Sequence, residues 1–329
     1  MRAFDFATPT SKDQVSALLS NNWGEVEVLV GGTDLISLMK DDVTTPHRLV
    51  NIKGIKELHG VSLLKDGLSI GALTTLAEIA GDTTIKKLYP TLAEAADDAA
   101  SPQIRNRATL GGNLCQRPRC WYFRSGHGLL AQGADGKSLV LEGDNRYHAI
   151  LGNDGPAYFV SPSTVAPVLI AYQAKVRIQG PKATREVALE NFFVIPKSEQ
   201  EREHDLKPNE IVTEIVLPGK GAGSIHSAAY EVRQKAAFDW PYATAAVALT
   251  INGGTVNSAR VVLGHVAPVP WLSTEAAEAL TGKKITAETA DAAAKAAVAK
   301  AKSLGRNSEK ILLARVAVKR AILKAGEPQ

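Results

Sequence analysis

The chain has 329 residues, more than one average domain needs, and its composition of 45 % hydrophobic and 22 % charged residues is that of a globular protein. Its formal net charge of +4 is too small and too dispersed to indicate binding to nucleic acid or insertion into a membrane. Two cysteines exclude a disulfide-rich secreted scaffold, and no apolar run is long enough to span a bilayer. Because the start has no signal-peptide pattern, we expect a cytoplasmic protein, or a periplasmic one if a partner carries the export signal.

The first region, residues 1–60, has the pattern of a small α/β unit. The extended segment FDFATP precedes a helix that Ser11 can cap, and VEVLV at 26–30 is typical of a buried strand. After Gly31 and Gly32, the pattern predicts a short helix over 34–40 and another strand over 47–52.

The second region, residues 61–180, begins with two strand candidates on either side of the turn KDG. Helices are predicted over TLAEIA at 75–80 and over YPTLAEAADDAA at 89–100. An irregular stretch covers 115–160, and regular structure returns at 165–178. Gly180 and Pro181 mark the predicted end of this region.

The third region, residues 181–329, differs in character from the first two. Its apolar or alternating runs predict an antiparallel sheet, and INGGTV supplies a hairpin turn between two of the strands. Three helices are then predicted, over 274–280, 286–304 and 308–323. The chain therefore divides into two α/β regions followed by a sheet with helices.

Two Gly-Gly pairs are the strongest candidates for a binding site. The first pair lies in the segment Val28 to Leu35 (VLVGGTDL), and the second lies in Thr109 to Asn113 (TLGGN). A glycine lets a phosphate approach backbone N–H groups where a Cβ would clash, so two such turns can clamp the two phosphates of a dinucleotide. The alternatives are a plain tight turn at each site and, for Thr33 and Asp34, a role in capping the helix that follows. Neither G-x-G-x-x-G nor a P-loop is present.

The order and spacing of several motifs together are more specific than any one of them. The chain resembles the FAD-binding medium subunit of the molybdenum hydroxylases, the family of xanthine dehydrogenase, carbon monoxide dehydrogenase and aldehyde oxidoreductase. The resemblance runs over nearly the whole chain and is carried by FDFATP, VGGTDL, IGALTTLAEIA, ASPQIRNRATLGGN, VSPSTVAPVLIAY, IVTEIVLP and YEVRQKAAFDWPYATAAVAL. The segments QRPRCWYFR and GDNRYHAI are most similar to bacterial aldehyde- and purine-type oxidoreductases.

The resemblance implies an α+β fold. A two-subdomain FAD-binding domain of the vanillyl-alcohol-oxidase-like (PCMH) type would occupy 1–60 and 61–180, and an α+β C-terminal domain with an antiparallel sheet and helices would occupy 181–329. FAD would be the cofactor. The first pyrophosphate loop would consist of Val28, Leu29, Val30, Gly31, Gly32, Thr33, Asp34 and Leu35, and the second would use Thr109, Gly111, Gly112 and Asn113.

Four further positions match residues near the flavin in relatives. Ser101 and Val212 match positions that touch the flavin end. Many relatives carry an aspartate where this chain has Thr164 and a lysine where it has Glu231. A carboxylate in place of a cation beside the flavin disfavours the anionic reduced form, so we expect Glu231 to lower the reduction potential.

The implied function is that of an electron-transfer subunit without catalytic residues or metal ligands of its own. Electrons from a molybdenum-cofactor large subunit would cross two [2Fe-2S] clusters of a small subunit, reach FAD and pass to an external acceptor. One alternative is a free-standing FAD-dependent oxidase or reductase of the same superfold. Another is an interaction protein that has lost FAD, against which the intact glycines argue.

The two cysteines raise the question of an iron–sulfur cluster in this chain. Some relatives hold a [4Fe-4S] cluster with four cysteines after TLGGN, and Cys120 matches the first of these. No cysteine follows Cys120, so we predict no cluster. A Cys115–Cys120 disulfide is not expected in a reducing cytosol, and zinc bound by both cysteines with His127 or His148 fits no common ligand spacing.

Overall fold

The computed structural model describes residues 1–219, 225–234 and 239–327. Its N-terminal part is a three-stranded parallel sheet in the order β1–β3–β2, formed by Asp5–Ala7, Arg48–Asn51 and Val26–Leu29. Helices α1 (Lys12–Leu18) and α2 (Leu35–Lys40) connect these strands, and a short 3-10 helix (Lys56–Leu58) follows them. Their apolar sides bury Val15, Val50, Ile52 and Ile55, as the predicted α/β pattern requires.

A five-stranded antiparallel sheet forms the middle of the molecule. Its order is β4–β5–β8–β6–β7, with the strands Val61–Leu64, Gly67–Gly71, Ile211–Pro218, Lys175–Gln179 and Thr184–Ala188. Its apolar core includes residues from the neighbouring helices α3 (Leu76–Gly81), α4 (Thr83–Leu88), α5 (Pro90–Asp98), α7 (Leu110–Leu114), α10 (Ala166–Ala171) and α11 (Leu189–Phe192). Thr75 and Glu78 form a capping box at the start of α3. The short helix α6 (Pro102–Arg105) leads toward α7.

The middle sheet continues past the predicted boundary at residue 180. Gly180 and Pro181 lie in the turn between β6 and β7, where Gln179 pairs with Thr184. Glycine and proline mark a tight turn inside a hairpin as well as a connection between domains, so the pattern could not separate the two cases. We therefore propose that the second region extends through β8.

A four-stranded antiparallel sheet forms the C-terminal part, in the order β12–β11–β10–β9. Its strands are Trp271–Leu272, Thr255–Gly264, Ala243–Asn252 and Ile225–Val232. Helices α12 (Thr274–Leu280), α13 (Ala287–Ala297) and α14 (Glu309–Ala325) cover it and share its core. Helix α13 ends at Ala297 rather than at the predicted residue 304, because the chain turns toward Ile150, whose carbonyl accepts a hydrogen bond from the Lys302 N–H at 2.8 Å.

The predicted irregular stretch 115–160 contains only the short helices α8 (Trp121–Arg124) and α9 (Leu139–Glu142). Leu129, Leu130, Ala157 and Phe159 give it a small core of its own. Within the part of the chain that the structure describes, no helix is both long and apolar enough to cross a bilayer. Residues 235–238 of the motif YEVRQKAAFDW lie outside the described residues.

Candidate functional site

The first glycine pair follows the C-terminal end of strand β2. It forms one wall of an elongated cavity, here called the glycine-loop cavity. Strand alternation turns Val28 and Val30 toward this cavity and Leu29 away from it, into a cluster with Met39 and Leu49. Leu29 is therefore the one member of the predicted first loop that does not line the cavity. The predicted residues that do are Val28, Val30, Gly31, Gly32, Thr33, Asp34, Leu35, Thr109, Gly111, Gly112 and Val212.

The two glycines of the first loop are required for different reasons. An ideal Cβ on Gly31 would lie 1.9 Å from the carbonyl oxygen of Arg107, just before the second loop. Gly32 has a φ of 73°, in the left-handed region that other residues rarely adopt. Gly31 thus permits the two loops to pack together, and Gly32 permits the turn itself.

The backbone N–H groups of the first loop are free of protein partners. Those of Gly31, Gly32, Thr33 and Asp34 donate to no acceptor among the described residues. Successive N–H groups in a turn make a concave site for an anion. This wall of the cavity can therefore receive phosphate oxygens without breaking an existing hydrogen bond.

The second loop is bonded differently. The sequence TLGGN forms the beginning of the short helix α7, with the Thr109 hydroxyl accepting from the Gly112 N–H at 3.2 Å. The N–H groups of Leu110 and Gly111 donate to carbonyls of Thr74 and Ala72, both at 2.9 Å. The Asn113 N–H donates to the Thr109 carbonyl, so all four N–H groups from Leu110 to Asn113 have partners within the protein.

Asp34 joins the first loop to the segment RPRCWYFR. Its Oδ1 accepts from Arg124 at 2.6 Å and lies 3.1 Å from Arg119, while its Oδ2 accepts from the Arg117 N–H at 2.8 Å. Asp34 makes no cap hydrogen bond to helix α2, so its predicted capping role is wrong. Burial lowers the pKa of Arg119 to about 10, although Asp34 opposes this shift. Three arginines within eight residues were the available signal for this contact, but their shared partner lies more than 80 residues earlier in the chain.

A second cavity, here called the outer cavity, adjoins the glycine-loop cavity. Thr33, Asp34 and Gly112 line both of them, and Ser101, Asn113 and Thr164 line the outer one. Trp240, which the sequence argument did not single out, forms part of its wall, with the guanidinium of Arg119 lying 4.6 Å from the centroid of its ring. This contact connects the 115–160 segment with the chain just before strand β10, in the wall of the outer cavity.

Ser101 and Val212, both predicted to touch the flavin end, lie in different cavities. Ser101 lines the outer cavity and accepts from the Ile104 N–H at the start of helix α6, whereas Val212 lines the glycine-loop cavity. Thr164 lines the outer cavity and a third one, the sheet cavity, beside the four-stranded sheet. Glu231 lines the sheet cavity only, and its Oε2 accepts from Arg233 Nε at 2.7 Å.

The glycine-loop cavity is also lined by a group of aromatic and charged side chains that no sequence motif predicted. The Arg202 guanidinium lies 4.7 Å from the centroid of the Trp23 ring and 3.5 Å from the Glu27 carboxylate. Burial raises the pKa of Glu27 to about 7, with Arg117 opposing the shift and Glu203 adding to it. His204 meets Trp23 edge to face at 6.0 Å. These residues are nearly 180 positions apart in the chain, so only the fold brings them together.

The two cysteines are free thiols in this structure. Burial raises the pKa of Cys115 to about 12 and that of Cys120 above its usual value, so neither is a reactive thiolate. The Cys120 sulfur lies 3.2 Å from His148 Nε2. No group of three or more histidines, cysteines and acids is arranged for a metal ion within the described ranges, and the absence of a cluster stays a prediction.

The two adjoining cavities share Thr33, Asp34 and Gly112 and together form one extended space that an elongated dinucleotide could occupy. The free N–H groups of the first loop lie where the cavities meet, so they would hold the diphosphate. Each end has an aromatic side chain and an arginine, which suits a flat heterocycle.

Comparison with known proteins identifies the family of the chain. Residues 2–220 match the family described as the FAD binding domain in molybdopterin dehydrogenase, and residues 228–325 match the CO dehydrogenase flavoprotein C-terminal domain. The chain is 31 % identical to the FAD-binding subunit of aldehyde oxidoreductase from Escherichia coli (strain K12), covering 85 % of this chain and 86 % of that one. It is 29 % identical to the carbon monoxide dehydrogenase medium chain of Hydrogenophaga pseudoflava, over 90 % and 86 % of the two chains.

A solved structure shows the same fold over nearly the full length. Carbon monoxide dehydrogenase from Hydrogenophaga pseudoflava, in a form that lacks the Mo-pyranopterin moiety, superposes with a TM-score of 0.77 at 30 % identity. The superposition covers 98 % of this chain and 97 % of that one. The predicted α+β fold, the oxidoreductase class and FAD as the cofactor are thereby confirmed. The chain belongs to the family of FAD-binding medium subunits of the molybdenum hydroxylases.

Proposed function

We propose that this chain is the electron-transfer subunit of a molybdenum hydroxylase complex. It would accept electrons from [2Fe-2S] clusters of a small partner subunit and pass them to an external acceptor, while a large subunit with the molybdenum cofactor oxidises the substrate. FAD supplies the redox chemistry when bound. We also retain the prediction that the complex is cytoplasmic.

The observation that carries this proposal is the set of free N–H groups at Gly31, Gly32, Thr33 and Asp34 on the cavity wall. A diphosphate accepts hydrogen bonds from such groups, whereas a purely structural turn leaves them to solvent. The family match gives the identity of the ligand. The free donors support the proposal that the first loop is the part of this chain that holds it.

The exposure of the two ends favours one orientation of FAD. The walls of the outer cavity include Trp240 and Ile104, which are 44 % and 39 % exposed. At the other end Trp23 is half-buried and the Arg202 side chain is 13 % exposed. A flavin that exchanges electrons with partners must lie near the protein surface. The flavin would therefore occupy the outer cavity, and the adenine would lie near Trp23 and Arg202.

The chain's own residues would bind and orient the flavin rather than transform a substrate. Asp34 fixes the first loop through its arginine contacts, and Arg119 with Trp240 would form one wall of the flavin end. No described residue of the outer cavity forms a nucleophile–base pair within hydrogen-bonding distance. The lack of catalytic residues in this chain stays a prediction.

Two measurements test the proposed function. Protein purified after co-expression with its flanking genes should contain about one FAD per chain, released on denaturation, and should co-purify with a molybdenum-containing and an iron–sulfur-containing chain. Addition of the complex's substrate should bleach the flavin absorbance only when both partners are present. A flavin that a substrate reduces in the isolated chain would indicate the free-standing oxidase or reductase instead, and protein without flavin would overturn the proposal.

A further inference from the structure

Arg233, just beyond the end of strand β9, is held in place from two sides. Its Nε donates to Glu231 Oε2 at 2.7 Å, and Nη2 contacts the same oxygen. Nη2 also donates to the Asp98 carbonyl, at 2.7 Å, which ties the four-stranded sheet to the C-terminal end of helix α5. These contacts with described residues anchor the guanidinium, and its side chain is 21 % exposed.

The Glu231–Arg233 ion pair is oriented relative to the outer cavity. Arg233 lines both the outer cavity and the sheet cavity, whereas Glu231 lines only the sheet cavity. The positive member of the pair is therefore the one that faces the outer cavity. An ion pair is neutral as a whole, but its nearer charge dominates the potential at short range.

The pairing changes what the sequence suggested about Glu231. The hypothesis that Glu231 lowers the reduction potential treated its carboxylate as an unpaired charge beside the flavin. In the structure, burial raises the pKa of Glu231, while the charge of Arg233 and its hydrogen bond oppose that shift. Glu231 is thus an anchor for a cation two residues later in the chain.

We propose that Arg233, positioned by Glu231, supplies a positive charge at the flavin end of the site, in addition to that of Arg119, and raises the reduction potential of the bound flavin. This inference rests on the proposed function, because it requires that the flavin occupies the outer cavity. A cation near the ring stabilises the anionic reduced flavin over the neutral oxidised form. Arg233 would in this way supply the charge that a lysine at position 231 gives in many relatives.

The test is the midpoint potential of the FAD-loaded complex, measured by redox titration of the flavin absorbance. Arg233→Gln should lower the equilibrium constant for flavin reduction about tenfold, which corresponds to about 30 mV for a two-electron couple. Arg233→Lys should restore most of the loss, because it returns the charge. Sulfite, which binds more tightly to flavins near a positive charge, should show a parallel weakening in Arg233→Gln.

The double variant Glu231→Gln with Arg233→Gln separates the two members of the pair. If the arginine is nearer the flavin, removal of both charges lowers the potential below that of the wild type. If Glu231 governs the potential, the same variant has a higher potential than the wild type, and an unchanged potential means that neither charge reaches the flavin. Either of the last two results overturns the inference.

Arg260→Gln is the matched control on the same sheet. Arg260 also pairs with one glutamate, Glu190, and donates to one backbone carbonyl, that of Ile170 at 3.2 Å, but it lines none of the three cavities. Its substitution should leave the potential unchanged. FAD content measured on every sample distinguishes the two proposals: chains without flavin contradict the proposed function, whereas a fully loaded Arg233→Gln with the wild-type potential contradicts only this inference.

Discussion

The two glycine loops look alike in the sequence, but they are built in different ways. The first loop keeps the N–H groups of Gly31 to Asp34 free, and it is held by contacts with Arg107 and with the arginines of the 117–124 segment. The second loop uses all of its N–H groups from Leu110 to Asn113 within the protein and is held by the Thr109 cap. The first loop therefore has free N–H donors for a diphosphate, whereas the second loop lines the same cavity with its N–H groups from Leu110 to Asn113 already bonded.

This difference shows that the same short motif, a pair of adjacent glycines, can have more than one physical cause. Gly31 and Gly111 are small because other parts of the protein approach them, at the Arg107 carbonyl and at Ala72. Only Gly32 is required by its own backbone conformation. Substitutions in the two loops should therefore impair the protein in different ways.

Of the substitutions that test the difference between the two loops, Gly31→Ala should cause the largest loss of stability. Its Cβ would lie 1.9 Å from the Arg107 carbonyl oxygen, so one of the two loops must move, and we expect a loss of at least about 3 kcal/mol in the free energy of unfolding. Urea denaturation of the FAD-free protein measures this loss, and flavin retention on gel filtration measures the effect on the site. Gly54→Ala is the control, because its Cβ would meet nothing within 4 Å. Equal stability of the two variants would contradict the loop-packing role of Gly31.

Asp34→Asn should have the next largest effect, because it leaves Arg119 and Arg124 without their shared carboxylate. Removal of one partner from a largely buried charge cluster should lower the free energy of unfolding by about 2–3 kcal/mol and weaken FAD binding. Isothermal titration with FAD and chemical denaturation test both parts. Asp5→Asn removes an exposed ion pair with Arg48 and should cost less than about 0.5 kcal/mol. Unchanged FAD affinity in Asp34→Asn would show that the arginine contacts do not shape the loop.

Glu27 directly precedes the first loop, and Glu27→Gln should remove a pH dependence of the free energy of unfolding. Burial raises the pKa of Glu27 from 4.5 to about 7, so the folded protein favours the protonated side chain. The stability that this group contributes is full below the unfolded pKa and is lost as the pH rises through about 7. We expect the variant to gain about 2 kcal/mol relative to the wild type between about pH 5 and about pH 8. Parallel stability curves for the two proteins over that range would contradict the raised pKa.

Thr109→Ala should have the smallest effect, and it probes the second loop. Loss of the hydroxyl that accepts from the Gly112 N–H should lower the free energy of unfolding by about 1 kcal/mol. Thr109→Ser keeps the acceptor and should recover most of this loss. FAD affinity should change less than in Asp34→Asn, as titration of both variants would show. A larger loss of FAD affinity for Thr109→Ala would reverse the roles assigned to the two loops.

The sequence predicted a large part of the fold because its patterns are local. The strand VEVLV and the INGGTV hairpin both depend on neighbours within a few residues. The predicted cap at Ser11 is an exception, because its side chain makes no cap hydrogen bond to helix α1. Helix α13 ends earlier than predicted, and we propose that the second region extends beyond residue 180; both depend on distant partners. Strand β8 pairs with β6 although it begins more than 30 residues later in the chain. Beyond the end of α13, the Lys302 N–H donates to the carbonyl of the distant Ile150.

The site was predictable to a smaller extent. The order of motifs along the chain was enough to identify FAD and the family, since relatives share that order whatever the details of each contact. It could not show that Leu29 faces away from the cavity, that Asp34 binds arginines, or that Arg233 rather than Glu231 faces the outer cavity. Those features depend on the direction of each side chain and on contacts between residues far apart in sequence. Hydrogen bonding and charge act over a few ångströms of space, and only the folded chain sets those distances.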